Sequence, residues 1–380
     1  METKDDGRIK RRDFLRMAGV TGAGLVMAAC APAAAPATPA PTKAPAAAAP
    51  TLAAPTPTLV PPTPKPATVK VGGLPGSVAD GPFHLGIAKG YFKDQGLTVQ
   101  MDYFQSAALM IAPLASGELD VGAGTISTAL FNAIERGVAM KIVATKGSIV
   151  EGFSSAWVVV RKDLVDSGQV KEVKDLKGKK IAMTAIKGGA EAIVARMLKP
   201  SGLSIKDVEI LGMTTPDMVA SFSNKAIDAA LMMESALSTA VAQGLVVRWP
   251  LGAPYAIYGG QWYNAVVIFS EQMSKNVDVA RRFMVGYLKG ARDYYDAFVK
   301  NKNRSETVSI ISKAINVEPG LFDQMGLPYM DPDGKLHVSS MKTDFAYFKE
   351  MGYYTGNLEI EPQIDTQFIE YAAKQLGPHT

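Results

Sequence analysis

What most constrains this chain is an internal duplication: the segment from about 70 to 160 recurs from about 178 to 269. IAPLASGELDVGAGTISTALFNAIERGVAMKIV sets against MVASFSNKAIDAALMMESALSTAVAQGLVVRW. Asp120 aligns with Asp228 and Gly81 with Gly189 at an offset of 108, and Gly137 with Gly244 at 107. The Gly96-Leu97 turn falls on Gly202-Leu203 at an offset of 106. A shared strand-turn-helix rhythm gives scattered matches, whereas a nearly constant offset is what duplication produces.

Each copy alternates β-rich runs with helical patterns. The first holds TVKVGG (68–73), TVQMDYF (98–104), LDVGAG (119–124) and MKIVAT (140–145). The second answers with KKIAMT (179–184), DVEILGM (207–213), IDAALMM (227–233) and LVVRW (245–249). Phe83, Ile87 and Tyr91 fall at four-residue steps, which predicts one helix face. Strands alternating with helices give an α/β class with a mainly parallel sheet flanked by helices, and two copies give two such lobes. WVVVR and AVVIF end the copies and are expected to be two crossing strands between the lobes. Beyond Ser270 the pattern is helical only, with Met284, Tyr287, Leu288, Ala291 and Tyr294 on one face. Lobe 1 is expected to span 68–159 plus 263–380, and lobe 2 to span 160–262.

The N-terminus reads as an export leader over 1–29. KRRDFLR precedes 13 residues from Met17 to Ala29, too few for the roughly 20 that a membrane-spanning helix needs. Arg11-Arg12 with Phe14-Leu15 resembles a twin-arginine signal, and Met27-Ala28-Ala29 before Cys30, the chain's one cysteine, resembles a lipoprotein cleavage box. Residues 30–67 form an Ala/Pro/Thr-rich tether with too little apolar surface to pack. In a polyproline-like form it would reach on the order of 100 Å. The reading is an extracytoplasmic protein, periplasmic or on the outer face of the cytoplasmic membrane, lipid-anchored through Cys30.

The net charge of +4 resides in the leader and tether, each of which carries a surplus of two, so the remaining residues are neutral. A neutral domain has no general electrostatic attraction for nucleic acid. No cysteine and only three scattered histidines, His84, His337 and His379, fall in the domain, which gives no basis for thiolate catalysis or a metal centre. No P-loop or dinucleotide fingerprint stands in the context it requires, and no cofactor is expected.

In open α/β sheets, ligands bind beyond the carboxyl ends of strands. The expected wall in lobe 1 includes Ser77, Gln105, Ser106, Gly124, Thr125 and Ser148. In lobe 2 it includes Lys187, Gly188, Gly189, Thr214 and Glu234, with Tyr263 on the approach to the second crossing. Gly188 and Gly189 open a helix whose first N–H groups favour a small anion, with Lys187 adding charge. Glu234, where a strand hands over to a helix, suits a hydrogen bond from a ligand amine or ring N–H. Aromatics from Phe153 to Tyr263 could stack on a planar ligand.

TVKVGGLPG, FHLGIAKGYFKDQGLTVQ and LASGELDVGAG, followed by DLKGKKIAM and IDAALMMES, resemble the nitrate/taurine/sulfonate-type solute-binding proteins of ABC importers, relatives of thiamine-pyrimidine-precursor proteins. The resemblance covers nearly all of 68–300. It implies a two-lobed type II periplasmic-binding-protein fold that closes on a small molecule and delivers it to a membrane permease with its ATPase. Ser235 stands where such proteins commonly carry proline after the glutamate. Thiamine-pyrimidine-synthesising relatives have a cysteine-rich motif and a catalytic histidine that this chain lacks.

The expected function is therefore that of a monomeric binding protein for a small sulfonate, nitrate or carboxylate, without enzymatic activity. A neutral pyrimidine or flavin-like ligand is the alternative. A ligand sensor, or a hydrolase using carboxylates such as Asp80, Glu151 and Glu234, forms the rival class.

Overall fold

The computed structural model describes residues 65–263 and 265–380. The leader, Cys30 and the tether up to residue 64 lie outside the described residues, as does Asn264. Among the described residues there are twelve strands: β1 (Ala67–Gly73), β2 (Leu97–Tyr103), β3 (Val121–Gly124), β4 (Lys141–Thr145), β5 (Ser148–Ile149), β6 (Ala156–Arg161), β7 (Lys180–Met183), β8 (Glu209–Gly212), β9 (Ala229–Met233), β10 (Val246–Val247), β11 (Trp262–Tyr263) and β12 (Val266–Phe269). All eight runs read from the two copies are strands.

The strands form two five-stranded sheets, ordered β2-β1-β3-β12-β4 and β8-β7-β9-β6-β10, in which only β12 and β6 run antiparallel to their neighbours. The expected α/β class with mainly parallel sheets is thus what the chain adopts. The orders superpose copy on copy. Their antiparallel members are exchanged, because β6 follows the first copy but sits in the second sheet, and β12 does the reverse.

That exchange puts WVVVR and AVVIF, the strands expected to pass between the lobes, in the interior of the opposite sheets. Val158, Val159, Val160, Val266 and Val267 are fully buried, and a run buried on both faces needs a neighbour on each side. Residues 150–155 make the first passage and the stretch before β12 makes the second, tied by the small antiparallel pair β5–β11. Expected boundaries at 159 and 262/263 therefore cut β6 and β11. The tether boundary at 67 also moves, since β1 starts at Ala67.

Repeated turns close the copies in the same way. Gly96 and Gly202 take left-handed φ of 68° and 75°, each ending a 3-10 turn before a leucine that bonds back five residues. That conformation favours glycine because it has no Cβ. Ile87 is exposed and Tyr91 lies beyond the helix Gly81–Ala88, so only Phe83 of the expected face is core.

The helices Val277–Phe298 and Gln367–Leu376 share a core with β1, β3 and Phe83, placing the C-terminal part against the first sheet. Helix Val338–Glu350 packs Met341, Phe345 and Phe348 around Phe131 of helix Thr128–Glu135. Ile181, Val194, Leu198 and Trp249 form the core of the second lobe. Among the described residues, no helix is long and apolar enough to cross a membrane, and no group of His, Cys, Asp or Glu could hold a metal ion.

Candidate ligand cleft

The loops that leave β1, β7 and β9 at their carboxyl ends meet around a cavity of about 290 Å³. Lobe 1 supplies Leu74, Pro75, Gly76, Ser77 and Gln105. Lobe 2 supplies Thr184, Thr215, Pro216 and the stretch Met233–Ala236. Larger recesses of 490 and 750 Å³ lie between helices, away from these strand ends; the smaller cavity is the one built as the fold predicts.

Its chemistry is divided. Ser77, Gln105, Thr184, Thr215 and Ser235 offer hydroxyl or amide groups, and among the described residues no side-chain hydrogen bond engages them. Leu74, Pro75, Pro216, Met233 and Ala236 supply carbon surface. Glu234 is the one ionisable residue of the lining. Its carboxylate is buried and already accepts from Arg248 Nη2 at 2.6 Å, Ser238 N–H at 3.0 Å and Gly326 N–H at 3.0 Å. Most of its acceptor capacity is thus engaged within the protein, mainly at Oε1.

A second cavity of about 40 Å³ lies deeper, lined by Thr125, Gly189, Tyr263, Tyr258 and Asp344 among others. Here Tyr263 Oη donates to Asp344 Oδ2 at 2.8 Å, and Arg196 Nη2 stands 3.6 Å from Oδ1. Tyr258 and Trp262 stack at 3.7 Å, with the Arg196 guanidinium over both rings. Burial pushes the Asp344 carboxyl up to about 7 despite these partners.

Protein groups surround the start of helix Gly189–Leu198. Glu191 accepts Lys187 N–H and Tyr347 Oη–H at 2.9 Å each, and Gly188 bridges to Ser127 across the lobes. Lys187 is exposed, with φ of 57°, its carbonyl accepting from Thr128 Oγ1 and its Nζ 5.5 Å from the Tyr353 ring centroid.

Of the expected site residues, Ser77, Gln105 and Glu234 meet at the larger cavity, and Thr125, Gly189 and Tyr263 at the deeper one. Ser106, Gly124, Ser148, Lys187, Gly188 and Thr214 line neither. Ser106 precedes the turn Ala107–Met110, Gly124 is packed against Ala107, and Ser148 pairs in β5 with β11 and Tyr329. Thr214 caps helix Thr215–Ser223 through Asp217, so its neighbour Thr215 takes the cleft position. Of the carboxylates weighed for hydrolysis, Asp80 is buried in an ion pair with Lys146 and Glu151 is exposed. Arg248, Arg196 and Asp344 gave no local signal, because each gains its role from a partner distant in sequence.

Residues 80–297, more than half of the chain, match the family described as NMT1/THI5 like. The taurine-binding periplasmic protein of Escherichia coli (strain K12) is 24% identical over 234 residues, covering 60% of this chain and 68% of that protein. Among solved structures, the alkanesulfonate-binding protein SsuA from Xanthomonas axonopodis pv. citri, bound to MOPS, superposes with a TM-score of 0.62 at 15% identity, over 80% of this chain and 99% of that one. The periplasmic nitrate-binding protein NrtA from Synechocystis PCC 6803 gives 0.65 at 15% identity, over 83% and 90%. These likenesses establish a shared fold, and the extent of the family match decides the membership: the chain belongs to the NMT1/THI5-like family.

Proposed function

We propose that the protein is the extracytoplasmic solute-binding component of an ABC importer, and that it binds a small organic anion of the sulfonate or carboxylate type between its lobes. The observation that carries this reading is the cavity lined by Ser77, Gln105, Thr184, Thr215 and Ser235, whose side-chain polar groups have no hydrogen-bond partner among the described residues. Hydroxyl and amide N–H groups converging from two lobes suit the oxygens of an anion. Glu234 does not oppose it, because Arg248 balances its charge from behind.

The apolar half of the lining favours a ligand with a carbon body over nitrate. The neighbouring sulfonate- and taurine-binding proteins agree in chemical class. Capture of the ligand would be followed by delivery to a membrane permease and its ATPase, with the protein held as a lipid-anchored monomer through Cys30 and the Ala/Pro/Thr tether.

Ser77→Ala, Gln105→Ala and Ser235→Ala test the site, with butanesulfonate as the calorimetric probe. Each should weaken binding by roughly three- to tenfold, the worth of one hydrogen bond of about 1 kcal/mol, at an unchanged melting temperature. Wild-type affinity in all three variants would place the ligand elsewhere.

A further inference from the structure

Three chain segments of lobe 1 reach the cleft side of the first sheet from the carboxyl ends of β1, β3 and β4, and one buried ion pair touches all of them. Asp80 and Lys146 are 0% and 1% exposed, with Asp80 Oδ1 2.5 Å from Lys146 Nζ. The other carboxylate oxygen, Oδ2, accepts the N–H of Leu74 at 3.0 Å, the first residue of the cleft turn after β1. Lys146 Nζ also donates to the carbonyl of Ala123 at 3.0 Å, immediately before Gly124 and Thr125. Lys146 itself follows β4, and its own N–H is fixed on the Ala265 carbonyl at 2.8 Å.

Neither charge reaches the ligand cavity, and burying two charges is costly unless geometry and further hydrogen bonds compensate. This pair has both. The carboxylate is pressed against the end of β1, where a Cβ on Gly73 would stand 2.9 Å from Oδ2. His84, Tyr103 and Tyr287 are the other titratable groups that feel the carboxylate, and burial lowers the affinity of His84 for a proton.

We infer that Asp80 and Lys146 are positioning residues, which fix the Leu74–Ser77 turn, the β3 end and the β4 end relative to one another and so preorganise the lobe 1 wall of the cleft. The consequence for binding rests on the cleft reading above; the consequence for the loops does not. Preorganised groups lose less freedom on binding, so loosening them weakens affinity even where no contact is removed.

Amide hydrogen exchange on the full chain tests this directly. In the wild-type protein Leu74 N–H should be protected as strongly as the amides of β1, and exchange at the rate of an open turn would overturn the inference. In the double variant Asp80→Asn/Lys146→Met, the amides of Gly76, Ser77 and Thr125 should exchange at least tenfold faster, while those of β7, β9 and β12 keep their wild-type rates. Butanesulfonate should then bind that variant at least tenfold more weakly. Unchanged exchange at Gly76, Ser77 and Thr125 in the folded double variant would show that the pair only fills space. Failure of the wild-type protein to bind butanesulfonate would count against the proposed function, and the exchange rates would still decide the role of the pair.

Discussion

Arg248 Nη2 donates to Glu234 Oε1 at 2.6 Å and also to Ser238 Oγ and the Gln324 carbonyl, so the cleft's only carboxylate is neutralised by a residue outside the cavity. Arg248→Met leaves Glu234 buried without a counter-charge. The expected loss is about 3 kcal/mol, the lower end for breaking a buried pair because Arg248 is partly exposed. Urea denaturation at pH 7 measures it. Glu234→Gln should bind a sulfonate no worse than wild type, because the carboxylate is not needed to hold an anion. A large loss of affinity in that variant would point instead to a ligand that donates to Glu234.

Asp120 and Asp228 give a second prediction, rooted in the duplication. Asp120 Oδ2 accepts Lys70 N–H at 2.8 Å, and Asp228 Oδ2 accepts Lys180 N–H at 3.0 Å, each tying the third strand of its copy to the first. Substituting alanine at either position should cost about 1.5–3 kcal/mol, as for other hydrogen bonds to a charged group. The sites lie in different sheets, so the double variant should show a near-additive loss. Equilibrium unfolding of the three variants decides it.

Asp344 gives a pH prediction. Burial raises its carboxyl to about 7, above an unfolded value near 3.9. The folded state therefore binds the extra proton between about pH 4 and 7, and the stability this adds is greatest at low pH and fades as pH rises through 7. The neighbours are Arg196, Tyr263, Tyr258 and Trp262. Asp344→Asn should gain in melting temperature relative to wild type as pH rises from 5 to 8. A difference that stays flat across that range would show that Asp344 ionises normally. His84, whose lowered pKa acts in the opposite sense below about 6.5, is present in both proteins and cancels from the comparison.

Anchoring is tested in cells. Cys30→Ala should move the protein from the membrane fraction to the soluble extracytoplasmic fraction without changing ligand affinity. Retention of the variant on membranes would remove the role proposed for Cys30.

The eight strands and the paired glycine turns were legible in the sequence because both depend on local patterning: apolar runs a few residues long, and glycine where φ must be positive. The duplication added long-range information, since copies with one order of parts fold to one order of strands. It also placed the crossings: the similar runs at the ends of both copies are the strands that pass between the lobes, and their complete burial follows because each inserts into the opposite sheet.

Part of the cleft was legible for the same reason. Ser77, Gln105 and Glu234 follow strand ends and could be placed by topology alone. Glu234's partner Arg248 is 14 residues away and Gly326 is 92 away, and nothing local marks that contact. Asp344 comes from a helix near the C-terminus whose approach to Arg196 is set by packing around Phe131. The Asp80–Lys146 pair is likewise a product of three strand ends meeting, and Asp80 alone read as one carboxylate among many.

The most direct test of the central claim is calorimetric titration of the purified protein with nitrate and with linear alkanesulfonates from one to six carbons. A cleft with a polar end and an apolar wall predicts that methanesulfonate binds more tightly than nitrate. It also predicts that each further methylene entering the cavity tightens binding by up to about fourfold, from about 0.8 kcal/mol per buried CH₂, until the space is filled. Nitrate binding most tightly with no gain along the series, or no anion binding to the folded protein, would contradict it.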